Sequence, residues 1–449
     1  MRDSNVGRAF GLAVVTIAGA LASFGIVYAL GLRFGAGAAP AILAAALAVG
    51  LGRQGEAPDL RRLLFKLATL PLVALAAGAV GVTFLRSPLL GAALFTAAIA
   101  LSIWLRNYGR RGAIAGRVVA LPFVSMLIVP VALDLPGGAP AAAAFAVAAG
   151  ASASICTTLV SLLARRLGWL EAEQTPRAPA PPKREPRANA LPVQTRMAVQ
   201  MLVALALAFA AGMLALPAHW SWAVLCAFIV CSGALGRGDA IYKGILRFAG
   251  AAGGTLAAAF VQLLPARGGV AEAALIFGLL FAGIFLREFN YAYWAGCMTL
   301  VFALLQGAQN AGAFELFALR LGGIAIGALC AIAATWFVFP IRTEQIVRRR
   351  VADALAAVRT HAHDAALLDY HAQALDRVAP PARLHRRVFG APQPQNHPAA
   401  WIDLAHELLA LARSNPADRA RLSEKMRELG ALLKRSGAAA AKEPRDGFT

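Results

Sequence analysis

The sequence predicts an all-α polytopic membrane protein. About twelve transmembrane helices are expected, as two six-helix repeats of the same orientation, followed by a small cytoplasmic helical tail. Three observations carry this. Apolar runs near bilayer-spanning length recur up to Pro340, arginines cluster in alternate gaps between them, and short motifs return at a nearly constant offset. A span needs roughly 20 apolar residues.

The 449 residues are 59% hydrophobic and only 15% charged, with a mean hydropathy of +0.64. Unbroken apolar runs exclude a β-barrel, whose strands alternate. A formal net charge of +20 could suggest a nucleic-acid partner. No nucleic-acid-binding motif accompanies it, so positive-inside loop charge is the reading, with the lipid bilayer as the surrounding partner. All five cysteines fall in apolar runs, with neither a CxxC pair nor metal-ligand spacing. They read as small buried packing residues. The apolar run after Arg8 continues to about Leu32, too long for a signal-peptide core, so it reads as an uncleaved first span.

The expected spans are 9–31, 37–52, 67–85, 89–105, 118–133 and 140–163, then 197–216, 222–235, 248–265, 271–286, 294–308 and 317–340. High Ala and Gly content suits close helix–helix approach. With a cytoplasmic N-terminus, the inner loops carry Arg2, Arg8, Arg53, Arg61, Arg62, Lys66, Arg106, Arg110, Arg111, Arg117, Arg237, Lys243, Arg247 and Arg287. The outer loops carry Arg33, Arg86 and Arg267, with Arg320 opening the last span. Both termini are therefore expected in the cytoplasm.

The domains read as 1–165, a first six-helix repeat; 166–195, a Pro/Arg-rich cytoplasmic linker; 196–341, a second six-helix repeat; and 342–449, the helical tail with a disordered C-terminus. Arg8 matches Arg196, Leu51-Gly-Arg53 matches Leu235-Gly-Arg237, and Trp104-Leu-Arg106-Asn-Tyr108 matches Phe285-Leu-Arg287-Glu-Phe-Asn-Tyr291, at offsets of 188, 184 and 181. An even span number per half makes the copies parallel, related by an axis along the membrane normal. In the tail, Leu404, Leu408, Leu411, Leu422, Met426, Leu429 and Leu433 recur at helical spacing. Pro380-Pro381 and a loop near Gly390 to Pro398 break it. Its histidines 361, 363, 371, 385, 397 and 406 lack a metal-ligand pattern and read as solvated.

Candidate functional residues lie in the second half. Arg247 precedes Gly250, Gly253 and Gly254. The glycines let a neighbouring helix approach, and the arginine either anchors at lipid phosphate or grips a carboxylate through two parallel hydrogen bonds. Arg320, ahead of Gly323 and Gly327, sits against the charge trend, either pairing with Glu315 or marking an anion exit. Arg287 and its counterpart Arg106 could make a cytoplasmic vestibule for anions. Trp220, Trp222, Tyr291, Tyr293 and Trp294 read first as interfacial anchors, with aromatic-substrate stacking as the alternative. Asp239 and Glu288 are the proton-coupling candidates, although no carboxylate lies deep in a span. Gly150-Ala-Ser-Ala-Ser154 lacks the closing glycine of a nucleophile elbow, and no P-loop is present. Neither an enzyme nor a metal or cofactor is expected.

Trp220-Ser-Trp222-Ala-Val, Arg247-x-x-Gly250-x-x-Gly253, the Arg287–Tyr293 segment, Arg320-x-x-Gly323-x-x-x-Gly327 and Pro340 together resemble the fusaric acid resistance family, well over 196–345 and more weakly over 8–165. That resemblance implies export of organic, often aromatic, acids across the bacterial inner membrane, driven by the proton gradient, and a periplasmic adaptor as a partner. A more distant similarity is to plant aluminium-activated malate transporters, which are dimeric anion channels. The chain departs from longer exporters in having a short linker in place of a cytoplasmic domain, and Ala251 where the family often has threonine.

Three functions follow. The first is an exporter of small organic anions, with Arg247, Arg287, Arg106, Tyr291 and Trp222 gathering substrate and Arg320 near the exit. The others are a passive anion channel of the same architecture and a scaffold whose tail binds a partner. A homo-oligomer stands open in each.

Overall fold

The computed structural model describes residues 2–53, 60–128, 138–169, 191–262, 269–305, 313–390, 397–415 and 418–442. These form seventeen α-helices and one 3-10 turn, without strands. The first half carries α1 (Arg2–Phe34), α2 (Ala39–Gly52), α3 (Leu60–Arg86), α4 (Pro88–Trp104), the 3-10 turn Leu105–Tyr108, α5 (Gly109–Ile128) and α6 (Gly138–Arg166). The second carries α7 (Val193–Ala215), α8 (Trp220–Cys231), α9 (Arg237–Gln262), α10 (Val270–Arg287), α11 (Tyr291–Leu305) and α12 (Ala313–Phe337). The tail adds α13 (Thr343–His361), α14 (Ala365–Asp376), α15 (Ala379–Phe389), α16 (Pro398–Ser414) and α17 (Arg419–Lys442).

Each expected span overlaps one of α1 to α12, with 129–133, 263–265 and 306–308 of those spans outside the described residues. Among the described residues, eight helices are long and apolar enough to cross a membrane: those of α1, α3, α4, α6, α7, α9, α10 and α12. α2, α8 and α11 are apolar but shorter. The chain divides into two compact units. One comprises Met1–Glu173, Leu191–Ser232 and Lys243–Ala334; the other comprises Gln174–Ala190, Gly233–Tyr242 and Thr335–Thr449. Most of the expected linker, 170–190, lies outside the described residues.

In the first unit α1 packs on α2 and α6, α3 on α4, α5 and α6, α7 on α8, and α10 on α11; the halves meet through α1 with α10, α4 with α7, and α5 with α8. Their shared core joins Ala13, Leu47, Leu70 and Phe145 to Leu280, Ile284, Trp294 and Val301. Small residues set the helix spacing. A Cβ on Gly254 would run into the Gly296 backbone and Thr299, and one on Gly327 into the Ala223 carbonyl and Cys226. A polar link, Ser23 Oγ to Ser152 Oγ at 3.0 Å, ties α1 to α6. Such contacts hold helices together where lipid is as apolar as the side chains.

Not every glycine does this work. Gly250 and Gly254 share a face, and a Cβ on Gly250 would strike the Ala292 carbonyl, whereas Gly253 has nothing within 4 Å. A residue three along from Gly250 and one before Gly254 points well away from the face these two share. Among the described residues Gly253 therefore makes no close helix contact, unlike Gly250, Gly254, Gly323 and Gly327.

The second unit has its own core of Val347, Leu355, Leu368, Leu375, Trp401, Ile402, Leu408, Leu422 and Leu429, against which Leu404, Leu411, Met426 and Leu433 pack. The helical-spacing leucines of the sequence thus all reach one core. Leu235 packs there too, because the segment between α8 and α9 belongs to this unit. Ile341 O accepts the Arg237 N–H at 3.2 Å, and Thr343 Oγ1 accepts the Gly238 N–H at 2.9 Å. Pro380 and Pro381 follow the break between α14 and α15. They occupy the first turn of α15, where the missing N–H costs nothing.

Candidate functional site

Arg247 lies nearly three turns into α9, so its charge is inside a membrane helix and not at its mouth. It is 4% exposed. Its guanidinium lies beside the Cys226 thiol, while Nε is buried without a hydrogen-bond partner. Arg320 of α12 is also 4% exposed. Its Cζ stands 4.8 Å from the Phe302 ring centroid and 5.6 Å from that of Trp222, and its Nη1 has no partner.

Local sequence explains the placement. Gly323 and Gly327 let α12 approach α8 so closely that Cβ atoms there would meet Trp222, Ala223 and Cys226. That close approach brings the Trp222 ring to Arg320. The two guanidinium groups are near enough to repel each other. The charge pattern sets Arg320 on the opposite side from Arg247, either paired with Glu315 or at an anion exit; the two guanidinium groups are instead neighbours. The side chain of Glu315 lies outside the described residues. Neither arginine has an ion pair among the described residues. Burying an uncompensated cation costs several kcal/mol, and two aromatic faces flank Arg320.

A second cationic group lies where α2, α10 and α11 meet. Arg53, just past α2, places its Cζ 4.5 Å from the centroid of the Trp294 ring. Arg287, Glu288 and Tyr291 are its polar neighbours. Arg53 Nε and Tyr291 Oη are buried without hydrogen-bond partners. Trp294 is 7% exposed and therefore no interfacial anchor, while Tyr293 is exposed. Arg106, in the 3-10 turn, has Arg117 as its cationic neighbour, so Arg287 is grouped with Arg53 and not with its sequence counterpart. Sequence reasoning had placed Arg53 among ordinary loop cations; only its position before a polar break hinted otherwise.

The carboxylate candidates sit at helix ends. Asp239 is buried in the first turn of α9, where its Oδ2 accepts the Leu235 N–H at 2.9 Å, and Glu288 caps α10. No group of three or more His, Cys, Asp or Glu suited to a metal occurs among the described residues. Of the tail histidines, His385 and His397 pair at 3.2 Å.

An all-α chain with eight membrane-length apolar helices and charged side chains buried among them is a multi-pass membrane protein. Residues 202–334 match the family model described as fusaric acid resistance protein-like, and both Arg247 and Arg320 fall within that stretch. No curated protein and no solved structure matches the chain.

Proposed function

We infer that the protein exports small organic anions, aromatic carboxylic acids in particular, across a bacterial inner membrane. The observation that carries this is the Arg247–Arg320 pair: two buried guanidinium groups inside membrane helices, with unsatisfied N–H donors and the rings of Trp222 and Phe302 alongside. A carboxylate would supply the missing charge, and an aromatic body would suit the flanking rings. The match to a family of membrane proteins that are generally transporters supports the reading.

In this proposal all twelve helices α1 to α12 belong to two parallel six-helix repeats, with both termini cytoplasmic. Reciprocal contacts support the repeat. α1 is the counterpart of α7 and α4 of α10, and both cross-pairs, α4 with α7 and α1 with α10, occur. Likewise α5 meets α8, and Arg53 at the end of α2 meets Trp294 of α11. A fused pseudo-dimer produces such pairs of contacts.

Proton coupling is proposed to drive export, through Asp239 or Glu288. A passive anion channel is the second reading, favoured by one observation: the carboxylates of the described membrane helices sit only at their ends. The two separate by flux of 4-hydroxybenzoate in proteoliposomes with ΔpH and Δψ imposed singly. Flux that follows ΔpH and collapses in Arg247→Gln and Arg320→Gln supports the coupled exporter. Flux that follows Δψ alone identifies a channel. Flux unaffected by either substitution rejects the arginine pair as the site.

A further inference from the structure

We propose that Arg53, Arg287 and Tyr291, gathered on Trp294, form a second binding site for the transported carboxylate, in series with the Arg247–Arg320 site along α11. The proposal rests on the reading of that first site as an anion site.

Both groups are built alike. Each sets an arginine against an aromatic ring carried by α11: Arg53 with Trp294 at 4.5 Å, and Arg320 with Phe302 at 4.8 Å. Trp294 and Phe302 lie about 12 Å apart along the helix axis, at 1.5 Å rise per residue. Trp294 projects from a different side of α11 than Ala292, Ala295 and Gly296, which pack against α9, whereas Phe302, seven residues after Ala295, lies at the edge of that packed face. α11 thus carries both rings, at separate heights along its axis, to the two arginines.

The second group has donors that no acceptor meets. Arg53 Nε and Tyr291 Oη are buried and unbonded. Trp294 covers one face of the Arg53 guanidinium, leaving its N–H edge for in-plane hydrogen bonds, which a carboxylate accepts in pairs. Tyr291 also opens α11, whose N-terminal end favours negative charge. Glu288 offsets one of the two cations, so the group carries a net charge near +1. That suits a monocarboxylate and disfavours a dianion such as phosphate or a dicarboxylate. Two stations of modest affinity let an anion cross in steps, where a single deep site would trap it.

The test is equilibrium binding of 4-hydroxybenzoate to the full chain in detergent, with phthalate as the dianion control. Two sites per chain are expected in the wild type, one in Arg53→Gln and one in Arg320→Gln. Tyr291→Phe keeps the ring and should weaken one site about tenfold, the loss of one donor to a charged acceptor. Arg53→Lys, which retains charge, guards against misfolding of the glutamine variant. Phthalate should bind at least tenfold more weakly at the site that Arg53→Gln removes. An unchanged isotherm in both Arg53→Gln and Tyr291→Phe overturns the second site, even if Arg320→Gln abolishes binding and so upholds the first. A wild type with one site, lost in Arg320→Gln alone, also overturns it. No binding of either probe to wild type rejects the aromatic-acid reading itself, and this proposal with it.

Discussion

Arg320 is held between two rings, and its planarity matters as well as its charge. Arg320→Lys keeps the cation but loses both the flat stacking face and the forked donors. We expect KM for the carboxylate to rise about tenfold, the equivalent of roughly 1.4 kcal/mol, read from the concentration dependence of flux. His397 shows a different balance in the tail. Its Nδ1 accepts the Ala399 N–H at 3.1 Å at the start of α16, so Nε2 carries the proton and donates to His385 Nδ1. Burial, then His385 and Arg386, push the His397 pKa below its ordinary 6.5. A lowered folded pKa means that its stabilising contribution is complete above about pH 6.5 and is lost as pH falls through the folded value. The Ala399 amide should therefore lose hydrogen-exchange protection on acidification from pH 7 to 5. His397→Asn, which keeps a capping acceptor without titrating, should flatten that dependence.

Among the elements, the α9–α11 contact is tightly specified. A methyl group at Gly250 or Gly254 meets backbone carbonyl oxygen, which cannot swing aside as a side chain would. Gly250→Ala and Gly254→Ala should each destabilise the detergent-solubilised protein by about 1–3 kcal/mol, the usual cost of overpacking, and should slow flux by displacing the helix that carries Trp294 and Phe302. Gly253→Ala should be neutral or slightly stabilising, since alanine favours the helix by up to about 1 kcal/mol where space is open. Thermal melts of the three variants distinguish these outcomes. The long apolar stretches were readable because a helix in lipid must satisfy its backbone internally and so leaves a long, continuous signature. Which glycine of a close-set trio touches a neighbour depends on where that neighbour lies, and Gly253 illustrates how spacing alone misleads.

At the level of the whole chain, the segment 233–242 joins the tail unit although it interrupts the second set of membrane helices. Leu235 enters the tail core, and Arg237 and Gly238 hydrogen-bond to Ile341 and Thr343. Removing 343–442 strips Leu235 of its apolar partners and Gly238 N–H of its acceptor. The amides of 233–242 should then exchange faster; unchanged protection would show that the tail does not hold this segment. Since α9 continues from this segment to Arg247, the same truncation should change flux.

By itself the sequence determined the all-α class, the positions of the helices, the apolar face of the tail and the arginines worth testing, because these follow from hydropathy period and from the cost of charge in an apolar run. Tertiary structure alone decided which charges meet. Arg247 and Arg320 stand on helices far apart in the chain, and Arg53 and Trp294 in different halves of it. Their meeting depends on interhelical packing through small residues, a three-dimensional fit with no periodicity for a single sequence to display.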